Sequence, residues 1–136
     1  MIEAPDLLQA IEDCRILITN DYELELIMSK TGTDKSELLK KAQAIIVTLG
    51  ELGSRIFTPD REISIPAVRP KKVEDPTGAG DSYRGGLLSG LVRGLSIERS
   101  AMIGSVCASF AVECYGTQDY RFNPEEFEER YKICYE

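Results

Sequence analysis

Two short apolar runs, separated by segments of helical periodicity, most restrict the fold of this sequence. Residues 15–19 and 44–49 have the length and the β-branched character of buried strands. Between them, residues 20–23 lead into a helical pattern that Thr31-Gly32 ends, and residues 34–37 have the form of a capping box for a further helix. This order of elements predicts an α/β domain with a partly parallel sheet.

The remaining segments extend the same fold class. Residues 54–58 and 62–65 are strand-like and flank a Pro-Asp-Arg turn, which predicts an antiparallel hairpin. Residues 66–77 contain three prolines and are predicted to form an irregular connection. Helical patterns precede and follow this region. We expect all of these elements to belong to one domain over residues 1–136. Their predicted apolar faces are Leu7, Leu8 and Ile11; Leu38, Leu39 and Ala42; Leu87, Leu88, Leu91 and Leu95; Met102, Ile103, Val106, Phe110 and Cys114; and Phe127, Tyr131 and Cys134.

Composition excludes several functional classes. The chain of 136 residues carries 16 basic and 23 acidic side chains, a net charge of −7, which argues against binding to nucleic acid or to an anionic membrane. The absence of His excludes Ser-His-Asp catalysis and His-ligated metals. No apolar run approaches the roughly 20 residues that span a bilayer, so we expect a cytoplasmic protein. Four widely spaced cysteines are expected to be buried thiols.

Residues 75–86, with the sequence DPTGAGDSYRGG, carry the most chemical information. Gly78 and Gly80 bracket a small residue at the predicted start of a helix, so that a ligand can approach the backbone N–H groups. Such groups, at the positive end of a helix dipole, form an anion hole suited to a phosphoryl group. Asp81 falls in the first helical turn, where its carboxylate can accept a proton from a hydroxyl beside the phosphate. This arrangement suits phosphoryl transfer to an alcohol.

Two better-known glycine motifs do not fit this segment. The pattern G-x-x-x-x-G-K-[ST] is absent, and G-x-G-x-x-G fails because Tyr83 occupies the position of the third glycine. Spacing alone therefore leaves a second interpretation open. In that interpretation, residues 77–81 form a flexible loop with an acidic residue near a helix N-terminus and have no catalytic role.

Three motifs in a fixed order resemble those of the ribokinase or PfkB superfamily of sugar and nucleoside kinases. Residues 75–81 with Arg84-Gly85-Gly86 resemble its C-terminal signature, Asn20-Asp21-Tyr22-Glu23 resembles its N-x-x-E motif, and residues 48–53, TLGELG, resemble its T-x-G-x-x-G segment. The resemblance extends from about Ile16 to Tyr120 and is greatest to the adenosine-kinase-like branch. It implies the C-terminal part of a ribokinase-like α/β/α sandwich with a mostly parallel sheet, lacking the N-terminal half and its lid.

The resemblance also implies a role for each matching residue. Asp81 would be the catalytic base, and the backbone of Gly78, Ala79 and Gly80 would hold the transferred phosphoryl group of ATP. The implied acceptor is a hydroxyl group of a nucleoside or a sugar. Arg84 and Thr77 are further candidates for phosphate contacts, although a surface position for Arg84 and a plain loop role for Thr77 are the alternatives.

Two further groups of residues are implied to act on the nucleotide. Asn20 and Glu23 would organise Mg²⁺ and its waters, a role suited to oxygen ligands. The alternative is a helix-capping pair, and both roles are compatible. Thr48, Gly50 and Gly53 would line the ATP site.

The chain departs from the family pattern in two respects. Ser105 occupies the place of an Asn that the family has near adenine, and the N-terminal half, with most of the acceptor pocket, is missing. We therefore expect little or no activity from the chain alone. A non-catalytic module that associates with itself or with a separate N-terminal half is the alternative function. An ADP- or pyrophosphate-dependent relative shares the same loop, so the phosphate donor also remains open.

Overall fold

The computed structural model describes residues 2–115 and 122–136. Its helices and strands follow one another largely in the order that the sequence predicts. The helices are α1 (Ala4–Glu12), α2 (Asp21–Thr31), α3 (Lys35–Leu38), α4 (Ala79–Val92), α5 (Ile97–Ala111) and α6 (Pro124–Tyr135). The strands are β1 (Ile16–Asn20), β2 (Ala44–Thr48), β3 (Ser54–Phe57) and β4 (Glu62–Ile65). A single 3₁₀ turn spans Gly50–Leu52 in the described part of the chain.

The strands form one mixed sheet in the order β1-β2-β3-β4. β1 and β2 are parallel, with Ile16 opposite Ala44 and Asn20 opposite Thr48. β2 and β3 are antiparallel, and β4 follows β3 through a turn too short for a parallel crossover. The predicted α/β class, partly parallel sheet and hairpin are thereby confirmed.

Contacts divide the chain into two compact units, residues 1–50 with 54–64 and residues 51–53 with 65–136. The first unit packs its helices against β1 and β2 around a shared apolar core. That core consists of Ile11, Leu24, Leu38, Ala42, Ile45 and Val47. The α2 helix ends at Gly32 in the left-handed region, with φ of 67°, as the sequence predicts.

The second unit is built on α4 and α5, whose backbones approach closely through small residues. A Cβ atom added at Gly86 would lie 2.8 Å from the Cα atom of Gly104, and one at Gly90 would lie 2.8 Å from the Cα atom of Ser100. Helix α6 packs on α5 around a core of Val68, Val106, Phe110 and Tyr131. Helices α4 and α5 thus form a closely packed pair, and the predicted phosphate loop lies at the start of α4.

Several predicted helical faces are wrong because apolar spacing does not show where a helix ends. Helix α3 ends at Leu38, so Leu39 and Ala42 lie beyond it, although Ala42 is still buried in the core. Leu95 and Cys114 likewise lie beyond the ends of α4 and α5. In both cases the chain turns before the apolar pattern stops.

The predicted burial of α4 and of the cysteines also needs correction. Leu87 is fully buried, but Leu88 is 56% exposed, because glycines rather than leucines form much of the side of α4 that meets α5. Cys134 is exposed at the end of α6, and Cys14, Cys107 and Cys114 are only partly buried. Burial raises the pKa of the Cys107 thiol, which disfavours the reactive thiolate.

Candidate functional site

The predicted site residues fall into two groups, one in each compact unit. Asn20, Glu23, Thr48 and Gly50 belong to the first unit, whereas Gly53 and residues 77–84 belong to the second.

In the first unit, the predicted polar residues meet at the carboxyl edge of the parallel strands. Asn20 ends β1 and lies opposite Thr48, which ends β2. The Thr48 hydroxyl donates to the carbonyl oxygen of Thr19 over 3.3 Å. The carboxyl edge of parallel strands is where α/β proteins commonly bind ligands. The register therefore places two of the predicted motifs side by side.

Asn20 and Glu23 form a capping box at the start of α2. The Glu23 N–H donates to Asn20 Oδ1 over 2.7 Å, and the Asn20 N–H donates to Glu23 Oε2 over 2.9 Å. The capping alternative is thus confirmed. Both side chains end in oxygen atoms of the kind that Mg²⁺ accepts, and Mg²⁺ commonly keeps several waters. Within residues 2–115 and 122–136, no three His, Cys, Asp or Glu side chains cluster as a metal site.

Removing this cap should lower stability measurably. We expect Asn20→Ala to reduce the free energy of unfolding by about 1 kcal/mol, because the N–H of Glu23 loses its acceptor. Asn20→Asp is the matched control, since aspartate caps helices as well as asparagine does. Urea denaturation of the three proteins measures the difference. Equal stability of the alanine and aspartate variants would show that the cap contributes nothing.

The glycines of the TLGELG segment have distinct backbone roles. Gly50 and Gly53 both adopt positive φ, 60° and 94° respectively, which disfavours any other residue. A Cβ atom at Gly53 would also lie 2.8 Å from the backbone nitrogen of Ala67, whereas Gly50 has open space around it. Gly53 is therefore required by close backbone approach, and Gly50 by conformation alone.

The second unit presents the N-terminus of α4. Gly78 precedes the helix with φ of 86°, and no side chain caps its first turn. A Cβ atom at Gly80 would have the Arg84 side chain as its nearest neighbour, at 3.7 Å. The Ala79 N–H donates to the Pro76 carbonyl over 3.3 Å, at the long end of hydrogen-bond distances. The first amides of α4 thus lie in an uncrowded turn with a favourable dipole for an anion.

Asp81 lies in this first turn with 84% of its side chain exposed. The Arg84 guanidinium lies 3.4 Å from Asp81 Oδ1, one turn further along α4. Arg84 is thus paired with the candidate base and lies near the helix N-terminus. Thr77 is exposed, and its N–H donates to Asp75 Oδ1 over 2.9 Å, so the backbone of Thr77 helps to shape the loop.

A cleft of about 720 Å³ runs beside α4 in the second unit, and sequence reasoning missed it. Asp81, Gly85 and Ser89 line one side of it on successive turns of α4, and Ile103 and Phe127 contribute apolar surface. The sequence offered one signal, Gly85 inside a helical pattern, where glycine is less favourable than alanine. In the structure a Cβ atom at Gly85 would have open space, so packing does not explain this glycine.

Ser105, at the position that the family resemblance relates to adenine, is occupied by internal contacts. It is 8% exposed, and its hydroxyl donates to the Ala101 carbonyl over 3.1 Å.

The hydroxyl of Tyr135 donates to the Pro66 carbonyl over 2.7 Å, and burial raises the pKa of Tyr135 to about 12. Tyr135 is therefore neutral at physiological pH and acts as a hydrogen-bond donor.

Comparisons with known proteins relate this chain to one family of kinases. Residues 2–124 match the profile of the pfkB family carbohydrate kinases. A nucleoside kinase of Methanocaldococcus jannaschii is 44% identical over 112 residues, which are 82% of this chain and 37% of that protein. The chain therefore spans less than half the length of this relative.

Solved structures show the same fold. The crystal structure of the Methanocaldococcus jannaschii nucleoside kinase, an archaeal member of the ribokinase family, superposes with a TM-score of 0.92 at 39% identity, covering 97% of this chain and 44% of that one. The nucleoside kinase of Burkholderia thailandensis in complex with ADP-inosine gives a TM-score of 0.95 at 34% identity, covering 98% and 42%.

None of the described helices is long and apolar enough to cross a membrane. The family profile covers most of the sequence, and the solved relatives share its fold. The chain therefore belongs to the pfkB family of carbohydrate kinases.

Proposed function

We propose that this chain is the phosphate-binding and catalytic-base part of a kinase that transfers the γ-phosphate of ATP to a hydroxyl group. The observation that carries the proposal is the first turn of α4. There Asp81 is exposed, Gly78 precedes the helix, and no side chain caps the first turn. Residues 1–136 would then form a single ATP-binding domain, with the missing part of the fold supplied by further polypeptide.

The chemistry follows from the residues at this turn. As the acceptor oxygen attacks the γ-phosphorus, its proton passes to the Asp81 carboxylate, and the bond from that phosphorus to the bridging oxygen of ADP breaks. The backbone amides of Gly78, Gly80 and Asp81 would face the charge on the transferred group, and that of Ala79 would exchange its 3.3 Å bond to the Pro76 carbonyl for the same charge. Arg84, which lies 3.4 Å from Asp81, adds positive charge close to the reacting atoms.

The other site residues act on the nucleotide. Thr48, Gly50, Gly53 and Thr77 would line the ATP site, the glycines by allowing close approach of the backbone. Asn20 and Glu23 are suited to orient the waters of Mg²⁺ while they cap α2. The bound ion supplies neutralising charge on the polyphosphate.

A nucleoside is the acceptor we favour, in the adenosine-like class, over a sugar. Its support is that the relatives from Methanocaldococcus jannaschii and Burkholderia thailandensis are both described as nucleoside kinases. The cleft beside Asp81, with its apolar and aromatic lining, is large enough for a group of nucleoside size. A cytoplasmic location fits a kinase that depends on ATP.

Calorimetric titration with ATP·Mg²⁺ and with ADP·Mg²⁺ tests the nucleotide site. We expect weak, saturable binding to the chain, and we expect Gly80→Val to weaken it at least tenfold because a branched side chain obstructs the amides at the start of α4. Asp6→Asn is the control, since Asp6 lies in the uninvolved first turn of α1. No saturable binding, with Gly80→Val and Asp81→Asn behaving like the unmodified chain, would exclude a nucleotide site.

A non-catalytic association module is the second candidate function, and the edge of the sheet favours it. β1 lies at one edge of the described sheet, and its sequence, ILITN, contains neither charge nor proline. Such an edge is not protected against pairing with another strand. The module interpretation predicts no nucleotide binding together with a mass that rises with concentration. Nucleotide titration therefore distinguishes the two functions.

A further inference from the structure

A largely buried ion pair lies where α6 meets the end of α5. The side chains of Glu113 and Arg130 are 14% and 11% exposed, and Arg130 Nη2 lies 2.9 Å from Glu113 Oε1. Arg130 Nη1 also donates to the Ser109 hydroxyl over 3.0 Å, and its guanidinium lies 3.7 Å from the centre of the Phe110 ring. These contacts fix Glu113 in one place just after α5 ends.

Glu113 and its neighbour Val112 hold the segment that leads to the phosphate loop. The Lys71 N–H donates to Glu113 Oε1 over 2.6 Å. The N–H groups of Glu74 and Asp75 donate to the Val112 carbonyl over 2.8 and 3.2 Å. That carbonyl is at the C-terminus of α5, where helices leave acceptors without intrahelical donors.

Apolar burial does little to fix this segment. Residues 71–74 are all exposed, and the side chain of Val73 is 66% exposed. The hydrogen bonds from the segment to the end of α5 therefore help to determine where the segment lies. Asp75 carries this placement onward, because its carboxylate accepts the N–H of Thr77 over 2.9 Å, immediately before Gly78 and α4.

We propose that Glu113 and Arg130 are positioning residues for the phosphate loop. The ion pair fixes the Glu113 carboxylate, the carboxylate fixes Lys71, and the segment from Lys71 to Asp75 sets the path of residues 76–78 into α4. The functional part of this inference rests on the proposed nucleotide site, whereas the structural part does not. Neither residue contacts the reacting groups in this scheme.

Amide hydrogen exchange measured by NMR tests the structural part directly. Glu113→Ala should reduce the protection of the Lys71 and Thr77 amides at least about tenfold relative to that of Leu87, inside α4, because a hydrogen bond to a charged group is lost. Arg130→Met keeps an apolar stem over Phe110 and should act in the same direction. Lys132→Ala is the control, since the Lys132 side chain pairs with Glu128 on the exposed side of α6.

Rescue distinguishes positioning from general destabilisation. Glu113→Gln keeps an acceptor for the Lys71 N–H and should recover part of the lost protection. If Glu113→Ala does not fold, Arg130→Met serves in its place as the variant that loses protection. Equal loss of protection at Lys71, Thr77 and Leu87, or no loss at the first two, would overturn the proposal. Titration with ATP·Mg²⁺ then tests the functional part, with at least a tenfold rise in Kd expected for Glu113→Ala. If the unmodified chain binds no nucleotide, the proposed function fails, and the exchange result still decides whether the ion pair positions the loop.

Discussion

Adding one methyl group at Gly86 should destabilise this chain strongly. We expect Gly86→Ala to lower the free energy of unfolding by about 1–3 kcal/mol, the usual cost of overpacking. The new Cβ atom would lie 2.8 Å from the Cα atom of Gly104 and 2.9 Å from the sulfur of Cys107. Because the nearest neighbour is backbone, α4 and α5 must separate to accommodate the methyl group. Alanine is otherwise favoured over glycine within a helix by about 1 kcal/mol, so the sign of the result is informative.

Gly85 provides the matched control for this substitution. It is the preceding residue of the same helix, but a Cβ atom there would have no neighbour within 4 Å. Gly85→Ala should therefore raise the free energy of unfolding by up to about 1 kcal/mol. Urea denaturation of both variants measures the two effects against the unmodified chain. Effects of the same sign and size would show that close packing of α4 and α5 does not determine the stability of the second unit.

The close approach of Gly86 to Gly104 also illustrates which parts of the fold can be predicted from the sequence and which cannot. The capping boxes predicted at Asn20 and Asp34 are both present, because a cap depends on residues three positions apart. The predicted face of α4 is partly wrong, because leucine spacing describes one helix and not the direction from which another approaches. Gly86 and Gly104 are 18 positions apart, and only their encounter in three dimensions reveals their role.

The candidate site shows the same limit. Asn20 and Thr48 are predicted to be site residues from their motifs, and the parallel register of β1 and β2 places them opposite each other. Glu113 and Arg130 carry no such signal, because an acidic and a basic residue 17 positions apart form no pattern in a charged sequence. Their importance arises from burial and from the backbone N–H of Lys71, 42 positions before Glu113, neither of which a local pattern contains.

Replacing Asp81 by asparagine should abolish most phosphoryl transfer while leaving the fold intact. In any preparation of this chain that turns over, alone or with polypeptide that completes the kinase fold, we expect kcat to fall at least about 100-fold. An amide has nearly the shape of the carboxylate but cannot accept the proton of the acceptor hydroxyl. The side chain of Asp81 is 84% exposed, so stability should change little.

The beginning of α1 offers a closely matched control for this prediction. Helix α1 begins Ala4-Pro5-Asp6 and α4 begins Ala79-Gly80-Asp81, so both aspartates occupy the third position of a helix. Asp6→Asn should leave kcat unchanged, because proline replaces the glycine at the second position and no positive-φ glycine precedes α1. Steady-state kinetics with ATP and a nucleoside acceptor measures both variants. Near-normal turnover of Asp81→Asn would remove Asp81 as the base. Equal losses of kcat in both variants would show instead that any acidic residue at the start of a helix matters. The glycines at the start of α4, Gly78 and Gly80, would then give Asp81 no special chemistry.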